Sequence, residues 1–239
     1  LAGAGVADKR WNDKRKKEIV SSRVDSGKLL VRTLLENKNK LKAFISASAI
    51  GWYGKDPSVP NPRPFEETDP ASEDFLGQAC VAWEMSLKGL EKTAIRLVIF
   101  RTGIVLSDEG GALKEFVKPL KMGLATILGS GNQMISWIHI DDMVRLYLAA
   151  IEQENFHGIY NAVAPVPVSN KELVIKLAKA SRKTFFIPVY VPGFVLRIAM
   201  GEMSSEVLKS ATVSCDKLHI ERFTFLYPGI DAALKSMIV

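Results

Sequence analysis

Two short, almost uninterrupted apolar runs constrain this chain more than anything else in it: residues 42–49 (KAFISASA) and 95–101 (IRLVIFR). Both are bounded by turn-forming residues, as expected of strands buried on both faces of a parallel sheet. Around them lie segments whose apolar residues recur at helical spacing. Residues 12–37 carry Ile19, Val20, Val24, Leu30, Val31, Leu34 and Leu35. Residues 74–92 are expected to bury Leu76, Cys80, Trp83 and Leu87 along one stripe. Further helices are expected behind Gly110 and Gly111 to about residue 122, and over 140–153, entered at Asp141 and Asp142, whose charge suits a positive helix end. Another spans 170–180, capped by Ser169 with Glu172 three residues on. Residues 157–162 read as a strand. Strands alternating with helices imply βαβ units, hence an α/β fold with a doubly wound parallel sheet. The stretch 55–69, with four prolines, is expected as a surface loop, and after Pro188 the pattern breaks into short pieces. The organisation expected is a main domain over 1–165 and a small C-terminal lobe over 166–239.

At 239 residues with 47% hydrophobic and 24% charged residues, the chain is long enough to bury its own core without disulfide or metal staples. Its two cysteines, Cys80 and Cys215, stand in unrelated contexts and form no metal-ligand spacing, which points to a reducing, cytoplasmic compartment. No apolar run approaches the roughly 18 residues of a bilayer span, and the opening residues do not read as a signal peptide. The net charge is +6, with its densest run at residues 14–17. That run reads as a solvated helix face. Nucleic-acid binding would want stacking aromatics among the cations, which are missing, whereas an anionic small molecule suits the charge.

The sequence opens on LAGAG, an apolar strand end running into a glycine turn. A parallel sheet starting there would leave a long unpaired edge, so further strands are expected ahead of it.

Several stretches in order, LAGAGVADKRW, the pair Ser22 and Arg23, SASAIGWYG, RTGIVL, GSGNQMISWIHIDDM and YNAVAPVPVSNKE, resemble the NAD-dependent epimerase-like branch of the atypical short-chain dehydrogenases/reductases. The resemblance runs from residue 1 to about 227 and implies a Rossmann-like fold that takes NADP, with NAD as the alternative. The family's glycine-rich pyrophosphate loop and the acidic or basic residue that selects NAD or NADP are not in this sequence, which puts full-strength binding by this chain alone in doubt. The resemblance implies that Leu1, Ala2 and Gly3 end a strand beneath the cofactor, and that Glu18 and Arg23 on the following helix meet its adenosine or phosphate end. Glu18 is equally well a surface residue. Ser46 and Ala47 would sit at the next strand end, with Arg101, Thr102, Gly103 and Val105 offering backbone to the nicotinamide amide. Trp137, His139, Asp142 and Asn161 are implied on the substrate side, although His139 reads equally as a buried structural histidine. Superfamily members often pair through two helices, and 12–37 and 74–92 are the candidates should this chain form a homodimer.

Reactive members of the superfamily use a tyrosine and a lysine one turn apart on a helix, together with a serine. Aligned on Trp83 and Glu84, those two positions carry Leu76 and Cys80. Leucine has no proton to give, and a neutral thiol lacks the lysine's charge. Cys80 would be a nucleophile only with a lowered pKa, and no base for that is evident, so both read as packed core residues. Ser48 matches the family serine, given one extra residue in SAIGWYG, and Tyr53 is a nearby phenol that either substitutes as proton donor or packs over the site. Two functions follow as expectations: an NADP(H)-dependent epimerase or reductase acting on a sugar nucleotide or another polar small molecule, or a catalytically idle NADP(H)-binding protein that senses cofactor or presents a surface. A plain scaffold that binds nothing fits the motif density poorly.

Overall fold

The computed structural model describes residues 3–181 and 185–238. In chain order the elements are α1 (Asp13–Glu36), β1 (Ala43–Ala49), α2 (Phe75–Met85), β2 (Arg96–Thr102), β3 (Ile104–Leu106), α3 (Gly111–Leu120), β4 (Leu124–Leu128), β5 (Met134–Ile135), β6 (Trp137–His139) and α4 (Ile140–Glu152). They continue with β7 (Gly158–Ala162), β8 (Val168–Ser169), α5 (Asn170–Ala180), β9 (Ile187–Val191), α6 (Gly193–Met200), α7 (Ser204–Val207), α8 (Asp216–Ile220) and α9 (Ile230–Met237).

The two apolar runs become β1 and β2, which pair in parallel, and β7 joins β2 on its far side to give the order β1-β2-β7. Alternation along these strands feeds two cores. Val98, Phe100, Tyr160 and Ala162 pack with Met143, Leu146 and Ala150 of α4 on one face. Ile99 packs with Val31 of α1, Leu87 and Leu90 on the other. Helices therefore cover both faces of a parallel sheet, the doubly wound α/β arrangement. A further apolar cluster joins residues 104–137, α5 and α9, so the last helix of the chain is packed beside β3, β4 and β6.

The helix caps follow the local chemistry. Asn12 accepts from the Arg15 amide at 2.8 Å, Asp74 from the Gly77 amide at 2.8 Å, and Ser169 from the Glu172 amide at 3.1 Å. The helix expected over 74–92 is shorter. It closes as α2 at Met85 and resumes as a tight 3₁₀ turn over Lys88–Lys92. Ser86 turns its hydroxyl onto the Trp83 carbonyl at 2.6 Å, and Gly89 abuts α1 so closely that a Cβ would lie 2.7 Å from Val31. The expected stripe is correspondingly uneven, with Cys80 and Leu87 buried and Leu76 and Trp83 half-buried. No helix among the described residues is long and apolar enough to cross a membrane.

Candidate functional site at the strand ends

Parallel strands end together, and β1, β2 and β7 bring Ser48, Arg101 and Asn161 into one row, with Ser48 opposite Arg101 and Arg101 opposite Asn161. Ligands of open α/β sheets gather at such carboxyl ends. Two environments meet here, a buried polar network and an open groove.

The network centres on Arg101, a charge at the end of an otherwise apolar strand. Its Nε and one terminal nitrogen form a two-pronged pair with Glu84 of α2 at 2.9 and 3.0 Å. The other terminal nitrogen donates to the Tyr53 hydroxyl and to the Glu67 carbonyl, both at 3.1 Å. The Trp52 ring lies 3.6 Å from the guanidinium carbon. Ser48 donates its hydroxyl to the same Glu84 carboxylate at 2.7 Å. Tyr53 donates to Asn161 Oδ1 at 2.7 Å, and the Asn161 amide donates to Glu67 Oε1 at 2.8 Å. Every donor and acceptor in this chain of contacts has a partner, which is what makes a buried polar cluster tolerable.

That arrangement bears on proton transfer. Tyr53 has 0% exposed surface and stacks on Phe65 at 5.2 Å between ring centres. Burial pushes its phenol up to about 12, against the opposing pull of Arg101 and Asn161, so it holds its proton at neutral pH. The phenol thus sits inside the core, and the Ser48 hydroxyl is spent on Glu84. Cys80 is pushed up to about 11 by burial first and by Glu84 second, and its Sγ lies 3.6 Å from the Ala49 carbonyl oxygen. It is an inert thiol. Leu76, at the position of the family's tyrosine, lies against Gly51, where a Cβ would stand 3.1 Å from its own.

The groove lies beside this network and encloses about 420 Å³. Gly3, Arg23, Ser46 and Ala47 line its strand-end portion, with Trp83 alongside. Arg23 is half-buried. One of its terminal nitrogens donates to the Ala4 and Ile19 carbonyls at 2.9 and 3.0 Å, and the guanidinium rests 5.1 Å from the Trp83 ring centre. A Cβ at Gly3 would stand 3.1 Å from the Arg23 guanidinium carbon, so this turn and the arginine approach as closely as backbone allows.

Other expected site residues are placed elsewhere. Leu1 and Ala2 lie outside the described residues. Glu18 is on the solvent side of α1, paired with Arg15 at 2.8 Å, and that hydrogen bond lowers its pKa. Thr102 donates its hydroxyl to the Phe100 carbonyl at 3.2 Å. Gly103 is enclosed, a Cβ there falling 2.7 Å from the Ser136 carbonyl oxygen, and Val105 packs against the core. Trp137, His139 and Asp142 are buried, and none of the three lines the groove. They fasten later parts of the chain instead. Trp137 Nε1 donates to the Val166 carbonyl at 3.0 Å. His139 Nδ1 accepts from the Asp141 amide, its Nε2 lies 3.0 Å from Ser236 Oγ, and Tyr227 packs 3.9 Å from its ring. Since Ser236 donates its own proton to the Ala233 carbonyl, Nε2 carries the imidazole hydrogen. Asp142 accepts the Leu226 and Tyr227 amides at 2.8 and 2.9 Å.

Sequence reasoning passed over Glu84, Glu67 and Trp52 as members of the network. The signal was present: an arginine ending a buried apolar strand must find a carboxylate.

A model of the NAD dependent epimerase/dehydratase family matches residues 1–162, and a model of a domain of unknown function (DUF1731) matches residues 191–237. An epimerase family protein of Staphylococcus saprophyticus is 35% identical over 243 residues, spanning 100% of this chain and 78% of its own length. An epimerase family protein of Mycobacterium bovis is 34% identical over 208 residues, spanning 87% of this chain and 66% of its own. The crystal structure of human epimerase family protein SDR39U1 (isoform 2) with NADPH superposes with a TM-score of 0.91 at 28% identity, over 99% of this chain and 79% of that one. The nucleoside-diphosphate sugar epimerase of Corynebacterium glutamicum superposes with a TM-score of 0.77 at 31% identity, over 100% of this chain and 45% of that one. A UDP-glucuronic acid 4-epimerase of Bacillus cereus, solved with UDP-glucuronic acid and NAD, shares the fold at 19% identity and a TM-score of 0.78. Taken with the parallel sheet and its strand-end groove, these matches place the chain in the NAD-dependent epimerase/dehydratase family, on a Rossmann-type fold.

Proposed function

We propose that this chain binds NADP(H), with NAD as the alternative, through the strand-end portion of its groove, in an epimerase- or reductase-like protein of the short-chain dehydrogenase superfamily. The observation that carries the reading is the meeting of Gly3, Ser46, Ala47 and a half-buried Arg23 along the carboxyl-terminal half of β1. Small residues leave room for a ligand there, and a guanidinium braced by two carbonyls is aligned for a phosphate without further ordering. These residues fit a phosphate-bearing nucleotide. NADPH in the human relative supports the choice of cofactor. When bound, the nicotinamide supplies hydride transfer, and the protein's part is to hold and orient it.

The protein's own proton machinery is weak. Ser48 and Tyr53, the two proton-handling candidates, are both committed to internal hydrogen bonds, and Leu76 and Cys80 offer no substitute. That observation favours a second reading, in which the protein binds NADP(H) without turning it over and serves as a sensor or an interaction partner. If there is turnover, its substrate is a polar small molecule such as a sugar nucleotide, with water passing the proton. Incubation with NADPH and a panel of carbonyl compounds and sugar nucleotides separates the readings. Turnover that Ser48→Ala or Tyr53→Phe abolishes supports the enzyme, whereas saturable binding without turnover supports the idle protein.

We assign residues 1–165 to the cofactor and 166–239 to the substrate side. The buried free thiols of Cys80 and Cys215 accord with a cytoplasmic location.

A further inference from the structure

Charge is unevenly spread along this chain. Residues 116–140 and 173–201 contain five lysines and two arginines and not one aspartate or glutamate. Folding brings the two stretches together, since β4 lies in the first, β9 and α6 lie in the second, and β4 pairs with β9. Leu208 sits against both Gly129 and Gly193, 2.7 and 3.3 Å from where their Cβ atoms would be, so α6 starts beside the end of β4. Lys121, Lys179 and Arg197 are exposed and, among the described residues, enter no salt bridge. The same surface is apolar. Phe185 is 75% exposed, Phe194 66% and Ile198 72%, the last two one turn apart on α6 beside Arg197. Ile187 and Val189 are exposed as well, alternating along β9 opposite Leu124 and Thr126. Exposed apolar side chains gathered with cations mark an interaction surface.

The chemistry narrows what covers it. The Ile187 amide donates to the Gly123 carbonyl and the Val191 carbonyl accepts from Gly129, so Pro188 and Tyr190 turn to the other edge of β9. A proline there removes a backbone donor, which disfavours a partner that adds a strand. A second copy of the chain would set cations against cations across a two-fold axis. An anionic bilayer fits both properties: apolar side chains enter the headgroup region while lysine and arginine stay at the phosphates. We propose that the β4–β9 and α6 surface docks this protein on a membrane rich in anionic phospholipid. Phe185, Phe194 and Ile198 enter the interface, and Lys121, Lys179 and Arg197 meet headgroup phosphates. The contact is peripheral, since α6 has 8 residues and a span needs about 20. The inference stands apart from the cofactor reading, because none of these residues lines the groove.

Co-sedimentation of the full chain with sucrose-loaded vesicles tests the proposal, using phosphatidylcholine mixed with phosphatidylserine against phosphatidylcholine alone. Binding to the mixed vesicles is expected, weakened about tenfold or more when the anionic lipid is omitted or the salt is raised. The double variant Phe194→Asp/Ile198→Asp alters only exposed positions, so its circular dichroism should match the parent while vesicle affinity falls about tenfold or more. Phe194→Trp reports insertion directly: its added emission should shift to the blue on vesicles and be quenched by brominated lipid, with the parent protein as the blank. No sedimentation with the anionic vesicles would overturn the proposal, as would a double variant that sediments like the parent or a Phe194→Trp emission that brominated lipid leaves unchanged. Equal affinity for soluble polyglutamate would point to an acidic protein partner instead, and a dimer in light scattering that the double variant dissolves would point to a second copy; either result also overturns it. Nucleotide is left out throughout, so failure here and failure of cofactor binding are separate results.

Discussion

Arg101 and Glu84 set the energetic stakes at the level of single residues. A buried pair is costly to assemble from water, and removing one partner strands the other's charge in the interior. Glu84→Ala is expected to cost about 3–5 kcal/mol of unfolding free energy in urea denaturation, since Arg101 loses both prongs and Ser48 loses its acceptor. Tyr53→Phe removes one hydroxyl from between Arg101 and Asn161 and is expected to cost about 1–3 kcal/mol by the same measurement. A cost near zero for both would mean that the network does not hold the strand ends. These residues also mark where sequence reading reached its limit. Ser48 and Tyr53 were legible as neighbours of a site, but the direction of a hydroxyl depends on a carboxylate 36 residues away in the case of Ser48. Local pattern carries no information at that range.

Among the elements, the junction from β6 into α4 ties the C-terminal segment to the sheet. Asp142 holds the amides of Leu226 and Tyr227 from within the first turn of α4. Asp142→Ala is expected to cost about 3 kcal/mol and to speed hydrogen exchange over residues 224–228 before the rest of the protein. His139 adds a pH dependence. Burial lowers its pKa below the ordinary 6.5, with Asp141 and Asp142 pulling the other way. The folded state therefore binds this proton more weakly than the unfolded chain does, so stability is fully present above the ordinary histidine pKa and falls as pH drops through it. The melting temperature is expected to fall between pH 7.5 and 5, and His139→Gln should flatten that part of the profile. An unchanged slope in the variant would assign the effect to other groups. The string WIHIDD was conspicuous in the sequence, and resemblance put it on the substrate side, yet its contacts are with Val166, Ser236 and the chain near Tyr227. Such partners lie far along the chain, where helical or strand periodicity cannot point.

The molecule as a whole was the most legible level. Apolar runs of strand length between amphipathic helices leave few packings other than a parallel sheet covered on both faces, and β1, β2, α1, α4 and α5 lie within a residue or two of their expected bounds. The split of the 74–92 helix was not legible, because it depends on Gly89 meeting Val31 across α1. The account's central claim, that the strand ends hold a dinucleotide, is tested most directly by calorimetric titration of the chain with NADPH. Saturable binding is predicted, weakened about tenfold by Arg23→Ala in a variant whose circular dichroism still matches the parent, and unaffected in affinity by Tyr53→Phe. Heat no greater than that of dilution, or an Arg23→Ala variant that binds as tightly as its parent, would contradict it.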